Sequence, residues 1–259
     1  MDTPRADREL TMFTTGVHAW LYWATGCYFT AFILCCYHMQ RTCRIALVAG
    51  FISHSLYLLG RGWLGDVFIP NAIFEGTFFL PWCLALISLV RSVNKPYKNP
   101  GEVLVLVIVF SIFSVFYAKG LIPPTPKKIT VWALVFFISE SMAHAMFYTG
   151  GLYAFFSMVG KNTTNGFHSW VVWGFIAYTI AQVTGAIWCF IGWGNTFSWS
   201  ARHLSSAVIW TFYAACLHLK FIPGWRRKTA VLTIAGAALV FFISFSDYIH
   251  EMSFLRVGG

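Results

Sequence analysis

The sequence predicts an all-α, polytopic integral membrane protein with about eight transmembrane helices. Three observations carry that expectation. Of 259 residues, 58% are apolar and 19% aromatic, and only 10% are charged, where a soluble domain carries about a quarter. Mean hydropathy is +0.66. The apolar residues fall into blocks of about 20, enough to cross a hydrocarbon core of roughly 30 Å. No polar stretch is left for a separate domain, so residues 1–259 read as one transmembrane domain.

Runs bounded by charge, Pro and Gly place the helices at 12–37, 45–64, 71–90, 101–118, 129–159, 170–194, 204–219 and 229–250. The first run ends before Arg41 and the second lies between Arg44 and Gly65. Pro70 opens the third and Arg91 closes it. Pro100-Gly101 and Lys119 bound the fourth. The fifth begins after Ile122-Pro123-Pro124-Thr125-Pro126 and exceeds a straight crossing, so Gly150-Gly151 marks either a bend or an extension beyond the bilayer. Gly194 ends the sixth, Arg202 and Lys220 flank the seventh, and Lys228 opens the eighth.

The chain has 18 Lys and Arg against nine Asp and Glu. These cations sit in short runs between apolar blocks, where they set topology and meet anionic lipid head groups, so nucleic acid is not an expected partner. Arg41, Arg44, Arg91, Lys95, Lys98, Lys161, Lys220, Arg226, Arg227 and Lys228 occupy alternate loops. With those loops cytoplasmic, both termini lie on the outer face, as in a bacterial cytoplasmic membrane protein. Asn162-Thr163-Thr164 then faces the cytoplasm and is a chance match to a glycosylation acceptor. Met1 to Leu10 mixes acidic and basic residues, unlike a secretory signal. Cys27, Cys35, Cys36, Cys43, Cys83, Cys189 and Cys216 form no C-x-x-C pattern, so neither a zinc ribbon nor covalently attached haem is expected. No glycine loop has the strand-turn-helix context of a phosphate site.

Ionisable groups inside a bilayer are costly, which makes each intramembrane histidine a site hypothesis. Counting about 1.5 Å per residue from the helix ends, His38, His168 and His218 fall toward the cytoplasmic face. His54 and His144 lie nearer the middle, and His18, His203 and His250 toward the outside. His18, His38 and His168 read as polar tips reaching the interface. Glu140 precedes His144 by one turn, a spacing that suits a proton or quinone site and equally a buried polar clip between helices. His54 and His218 have no acidic neighbour one turn away, which suits a metal partner better than a salt bridge. A b-type haem needs two neutral imidazoles from facing helices in apolar, aromatic surroundings. Periodicity alone does not separate such ligands from core histidines.

Two stretches bear on that choice. Gly185-Ala186-Ile187-Trp188 runs on through Trp193-Gly194-Asn195-Thr196-Phe197-Ser198-Trp199-Ser200 to Leu217-His218. His54 and Arg61 precede Ile69-Pro70-Asn71 and Phe74-Glu75. Together they resemble the haem-handling cytochrome c assembly family, the CcsA, ResC and CcmC group, over roughly residues 45–250. The resemblance implies that His54 and His218 are the intramembrane ligands of a haem b. It makes Arg61 a contact for a haem propionate or, failing that, an interfacial anchor. It makes Trp188, Trp193, Phe197 and Trp199 an outer surface for stacking haem.

The chain also departs from the family pattern. Phe136, and a position near Leu255, stand where the family carries two outer-face histidines. Phe197 replaces a tryptophan and Ser200 an acidic residue. His203 and His250 are the outer-side imidazoles available instead. The resemblance therefore implies a haem-handling membrane protein of c-type cytochrome biogenesis rather than a stand-alone enzyme. The departures keep a second reading open, a membrane electron-transfer subunit passing electrons between quinol and an outer cytochrome or other redox partner. A third treats the chain as a structural anchor in lipid.

Overall fold

The computed structural model describes residues 3–64, 73–94, 101–116, 130–160, 166–226 and 228–252. Among them every regular element is a helix. The chain divides into two compact units, Met1–Ile129 and Thr130–Gly259. Ile69-Pro70-Asn71, the Pro-rich run 122–126, the acceptor at 162–164 and Leu255 lie outside the described residues, as do the side chains of Phe74, Glu75 and His250.

The first unit holds α1 (Thr3–Cys36), α2 (Gln40–Leu64), α3 (Ile73–Asn94) and α4 (Gly101–Phe116). α1 and α3 each lie against both α2 and α4. α1 starts well before the predicted residue 12: Pro4 is tolerated in a first turn, where its missing N–H has no helical partner, and the polar residues after it do not break a helix. At its other end His38 adopts a left-handed conformation, φ 59°. The His38 N–H donates to the Cys35 carbonyl and the Met39 N–H to the Leu34 carbonyl, both at 3.0 Å. This is the Schellman cap usually given to glycine, so His38 reverses the chain. In α2, a Cβ on Gly50 would stand 2.8 Å from the Tyr28 ring. Its absence lets that ring lie against α2, one turn from His54.

Pro81 falls inside α3. A proline supplies no N–H and crowds the carbonyl four residues back, so the Thr77 carbonyl loses its helical donor. The Ser114 hydroxyl of α4 donates to it at 2.7 Å, the kind of side-chain substitution that makes proline tolerable where water is scarce.

The second unit holds α5 (Val131–Met158), α6 (Phe167–Trp193), α7 (Ala201–Leu219), the short α8 (Pro223–Arg226) and α9 (Thr229–Met252). The Thr130 hydroxyl accepts from the Ala133 N–H and caps α5. α5 packs on α6 and α9, and α7 on α6 and α9. α5 runs unbroken through Gly150-Gly151. The pair marks close approach instead of a bend, because a Cβ on Gly151 would come within 2.6 Å of the Ala237 Cβ in α9.

Four helical segments are long and apolar enough to cross a membrane, Gly16–Cys36, Gln40–Trp63, Val131–Met158 and Phe167–Trp193. Thr77–Ser92, Gly101–Phe116 and Thr229–Ser244 are shorter apolar helices. α7 is helical where a crossing is expected, but Arg202, His203, Ser205, Ser206 and His218 dilute its apolar character. Trp23, Ile45, Trp63 and Trp173 are exposed on these helices, a surface that lipid covers and water would not. The chain is an integral membrane protein.

Candidate functional site

In the first unit His54 is fully buried. Its Nε2 lies 2.9 Å from the Phe78 carbonyl, which can only accept, so Nε2 carries the proton. Nδ1 then accepts from the Tyr28 hydroxyl at 3.3 Å. Phe78 belongs to the turn of α3 that Pro81 distorts. The Tyr57 ring stands 6.3 Å from that of His54 and 5.5 Å from that of Phe78. Arg61 is 4% exposed and holds its guanidinium 4.4 Å over the Phe78 ring, a cation–π contact directed into the unit.

In the second unit His218 is exposed near the end of α7. Its Nδ1–H donates to the Ala214 carbonyl at 2.7 Å. The ring orientation is thereby fixed and the lone pair is left on Nε2, the nitrogen a metal takes.

The segment from α6 to α7 gathers the aromatic residues. Gly194, at φ 75°, closes α6 with its N–H on the Phe190 carbonyl at 2.8 Å. Trp188 is buried among Ala133, Phe136, Phe137 and Ala181, so it supports the aromatic surface from below. Trp193 meets it edge-on at 5.5 Å. Trp193, Phe197 and Trp199 are exposed, the last two edge to face at 5.5 Å. The His203 Nδ1 is 2.9 Å from the Ser198 hydroxyl and 2.8 Å from that of Ser200. Its Nε2 is 3.5 Å from the Cys189 sulfur, and Phe197 meets the ring edge-on at 5.4 Å. Burial, and then the adjacent Arg202 cation, hold the His203 imidazole below its ordinary value, which keeps it neutral.

Of the predicted pair on α5, Glu140 reaches Arg202 of α7, with 3.7 Å between carboxylate and guanidinium. The His144 ring stacks on Tyr178 of α6 at 5.7 Å and 28°, and its buried Nε2 has no hydrogen-bond partner.

An iron porphyrin needs imidazole lone pairs and flat apolar walls. His218 offers the first near the C-terminal end of α7; Trp193, Phe197 and Trp199 offer the second before its N-terminal end, roughly 25 Å away at 1.5 Å per residue, so the two do not meet on one porphyrin. Both nitrogens of His54 are engaged in the arrangement observed, so that ring takes a metal only by giving up the Phe78 carbonyl or the Tyr28 hydroxyl. Tyr28, Pro81 and Arg202 escaped sequence reasoning. A proline inside an apolar run was the one available signal, since it implies backbone carbonyls in need of other donors.

These features define a class, all-helical membrane proteins with buried histidines and an exposed tryptophan-rich turn between two helices. Residues 71–250 match the family described as Cytochrome C assembly protein, and the chain belongs to that family. The match includes His218 and the tryptophan-rich turn and begins after His54. The cytochrome c biogenesis protein CcsA of Prochlorococcus marinus strain MIT 9515 is 24% identical over 251 residues, 79% of this chain and 78% of that protein. CcsA of Prochlorococcus marinus subsp. pastoris is 38% identical over 86 residues, 33% of this chain and 26% of that protein. Among solved structures, cytochrome c heme lyase CcmF shares the fold with a TM-score of 0.62 at 16% identity, over 88% of this chain. The chain spans 46% of the length of CcmF.

Proposed function

We propose that this protein handles haem for the assembly of c-type cytochromes, as one transmembrane domain of eight crossings in a bacterial cytoplasmic membrane with both termini outside. His54 and His218 would hold the iron of a haem b. The observation that carries the reading is His218, whose Nδ1–H is held by the Ala214 carbonyl while Nε2 is left to donate, on the helix that follows the tryptophan-rich turn. When bound, the haem supplies a flat apolar guest and a redox-active iron. The chain's own residues orient the imidazoles, exclude water and offer Trp193, Phe197 and Trp199 for stacking on the outer side, where an apocytochrome meets it. His203, neutral and held by two seryl hydroxyls, is the outer imidazole in place of the residue expected at Phe136.

A reduced-minus-oxidised spectrum of the protein purified in native lipid tests the ligands. His54→Ala or His218→Ala abolishes the low-spin haem signal, and His38→Ala or His168→Ala leaves it intact. A normal spectrum from both of the first pair overturns the assignment. A deletion strain that still matures its c-type cytochromes overturns the assembly role. One observation favours a second reading: Phe136 is a packed core residue with no imidazole nearby on α5's first turns, which suits a fixed haem exchanging electrons with quinol and a redox partner. In that case the haem is quinol-reducible and stays bound when apocytochrome is added.

A further inference from the structure

Three helices of the second unit bring polar side chains together beneath the aromatic turn. α5 contributes Glu140 and, one turn deeper, His144. α6 contributes Tyr178 against His144, with Gln182 one turn along the same face. α7 contributes Arg202, which reaches Glu140, and the Ser206 carbonyl, which accepts from the Tyr178 hydroxyl at 3.5 Å.

Two nitrogens on these helices, His144 Nε2 against Tyr178 and Gln182 Nε2 one turn beyond it, are buried without a hydrogen-bond partner. A buried unpaired polar atom is costly, so native structures rarely keep one without a guest or a water to serve it. The Arg202–Glu140 contact, at 3.7 Å, is an ion pair beyond hydrogen-bond length, so it leaves the guanidinium fork unspent. Arg202 is 35% exposed on its side chain and lies 5.7 and 5.9 Å from the Phe136 and Phe137 rings, the same rings that carry Trp188. The cluster is therefore rich in donors and reachable from the aromatic surface. A carboxylate, which accepts up to about four hydrogen bonds and fits a guanidinium in bidentate fashion, is the group that answers such a set.

We propose that Arg202, Gln182 and His144 form a carboxylate site beside the tryptophan-rich turn, and that it takes the propionates of the porphyrin this protein handles. The site rests on the haem-handling reading, and Glu140 acts in it as the internal competitor that occupies Arg202 until a propionate arrives. This role is separate from iron ligation by His54 and His218, so a metal-free guest isolates it.

The test compares metal-free protoporphyrin IX with its dimethyl ester, each titrated into purified protein in detergent and read by quenching of tryptophan fluorescence. The wild type binds the diacid about tenfold more tightly than the ester, the worth of one charge-assisted contact. Arg202→Gln and Gln182→Leu shrink that preference without weakening ester binding. Glu140→Gln enlarges it by freeing the guanidinium. Should Arg202→Gln misfold through an unpaired Glu140, the Glu140→Gln/Arg202→Gln pair removes both charges and abolishes the preference. Equal binding of diacid and ester by the wild type overturns the site while leaving haem handling in place. So does a full preference in Arg202→Gln or the double variant. If neither porphyrin binds, the haem-handling reading fails and the site with it.

Discussion

Replacing Ser114 by alanine removes the hydroxyl that serves the Thr77 carbonyl in the turn broken by Pro81. Ser114 is fully buried and its bond to Thr77 part-buried, which limits how far water makes up the loss. Depriving a buried acceptor of its donor costs about 1–3 kcal/mol in general, and interhelical hydrogen bonds in bilayers fall nearer 0.6–2 kcal/mol. The second contact of the hydroxyl, to the Phe110 carbonyl at 2.8 Å, adds little, because that carbonyl faces a helical N–H of its own. The expected cost of Ser114→Ala is therefore about 1–2 kcal/mol. Pro81→Ala restores the N–H that the Thr77 carbonyl lacks. In that background Ser114→Ala costs under about 0.5 kcal/mol, a coupling near 1 kcal/mol. Equilibrium unfolding in mixed micelles, followed by far-UV circular dichroism and tryptophan fluorescence, measures all four corners of the cycle. An equal cost in both backgrounds refutes the assignment of Ser114 as the substitute donor.

His38 holds a left-handed conformation that costs a side-chain-bearing residue about 1–2 kcal/mol, so His38→Gly raises the unfolding midpoint in the same assay, whereas His38→Val lowers it. Tyr28→Phe removes the donor to His54 Nδ1 and costs about 1 kcal/mol, with no change in helical content. His203 titrates below the free imidazole value, as a proton resonance followed against pH checks. Because its folded value is depressed, the unfolded segment takes the proton first, so the Trp199 environment loosens as pH falls below about 6.5 and is intact above it.

Helix positions were the legible part of the sequence, because apolar blocks between charges are long and few chains can satisfy a backbone in lipid any other way. Each expected run coincides with a helix, and the ends moved where polar residues stay helical beyond the apolar zone, as from Thr3 and Gln40. The candidate site was legible only in its residue types. His54 is buried as its depth suggested, yet its partners are a tyrosine 26 positions away and a backbone carbonyl, and no local spacing encodes either. Trp188 sits in the same motif as Trp193 and Trp199, but it lies five residues before Trp193 on α6, about 140° round the helix, which turns it inward, and Trp199 lies past the helix end. The pairing of Glu140 with Arg202 joins residues far apart in the chain, which periodicity along one helix cannot show.

The contacts of His54 bear on how such a protein idles. A ring whose two nitrogens already serve a hydroxyl and a carbonyl needs no cargo to stay in place, in contrast to the exposed His218, whose Nε2 is left open. Were a metal to take this ring, as proposed above, it would trade one satisfied partner for another and leave the Phe78 oxygen or the Tyr28 hydroxyl seeking a substitute. In the proposed role that exchange would reverse whenever the guest departs, the behaviour of a carrier that lets go rather than a vault that keeps.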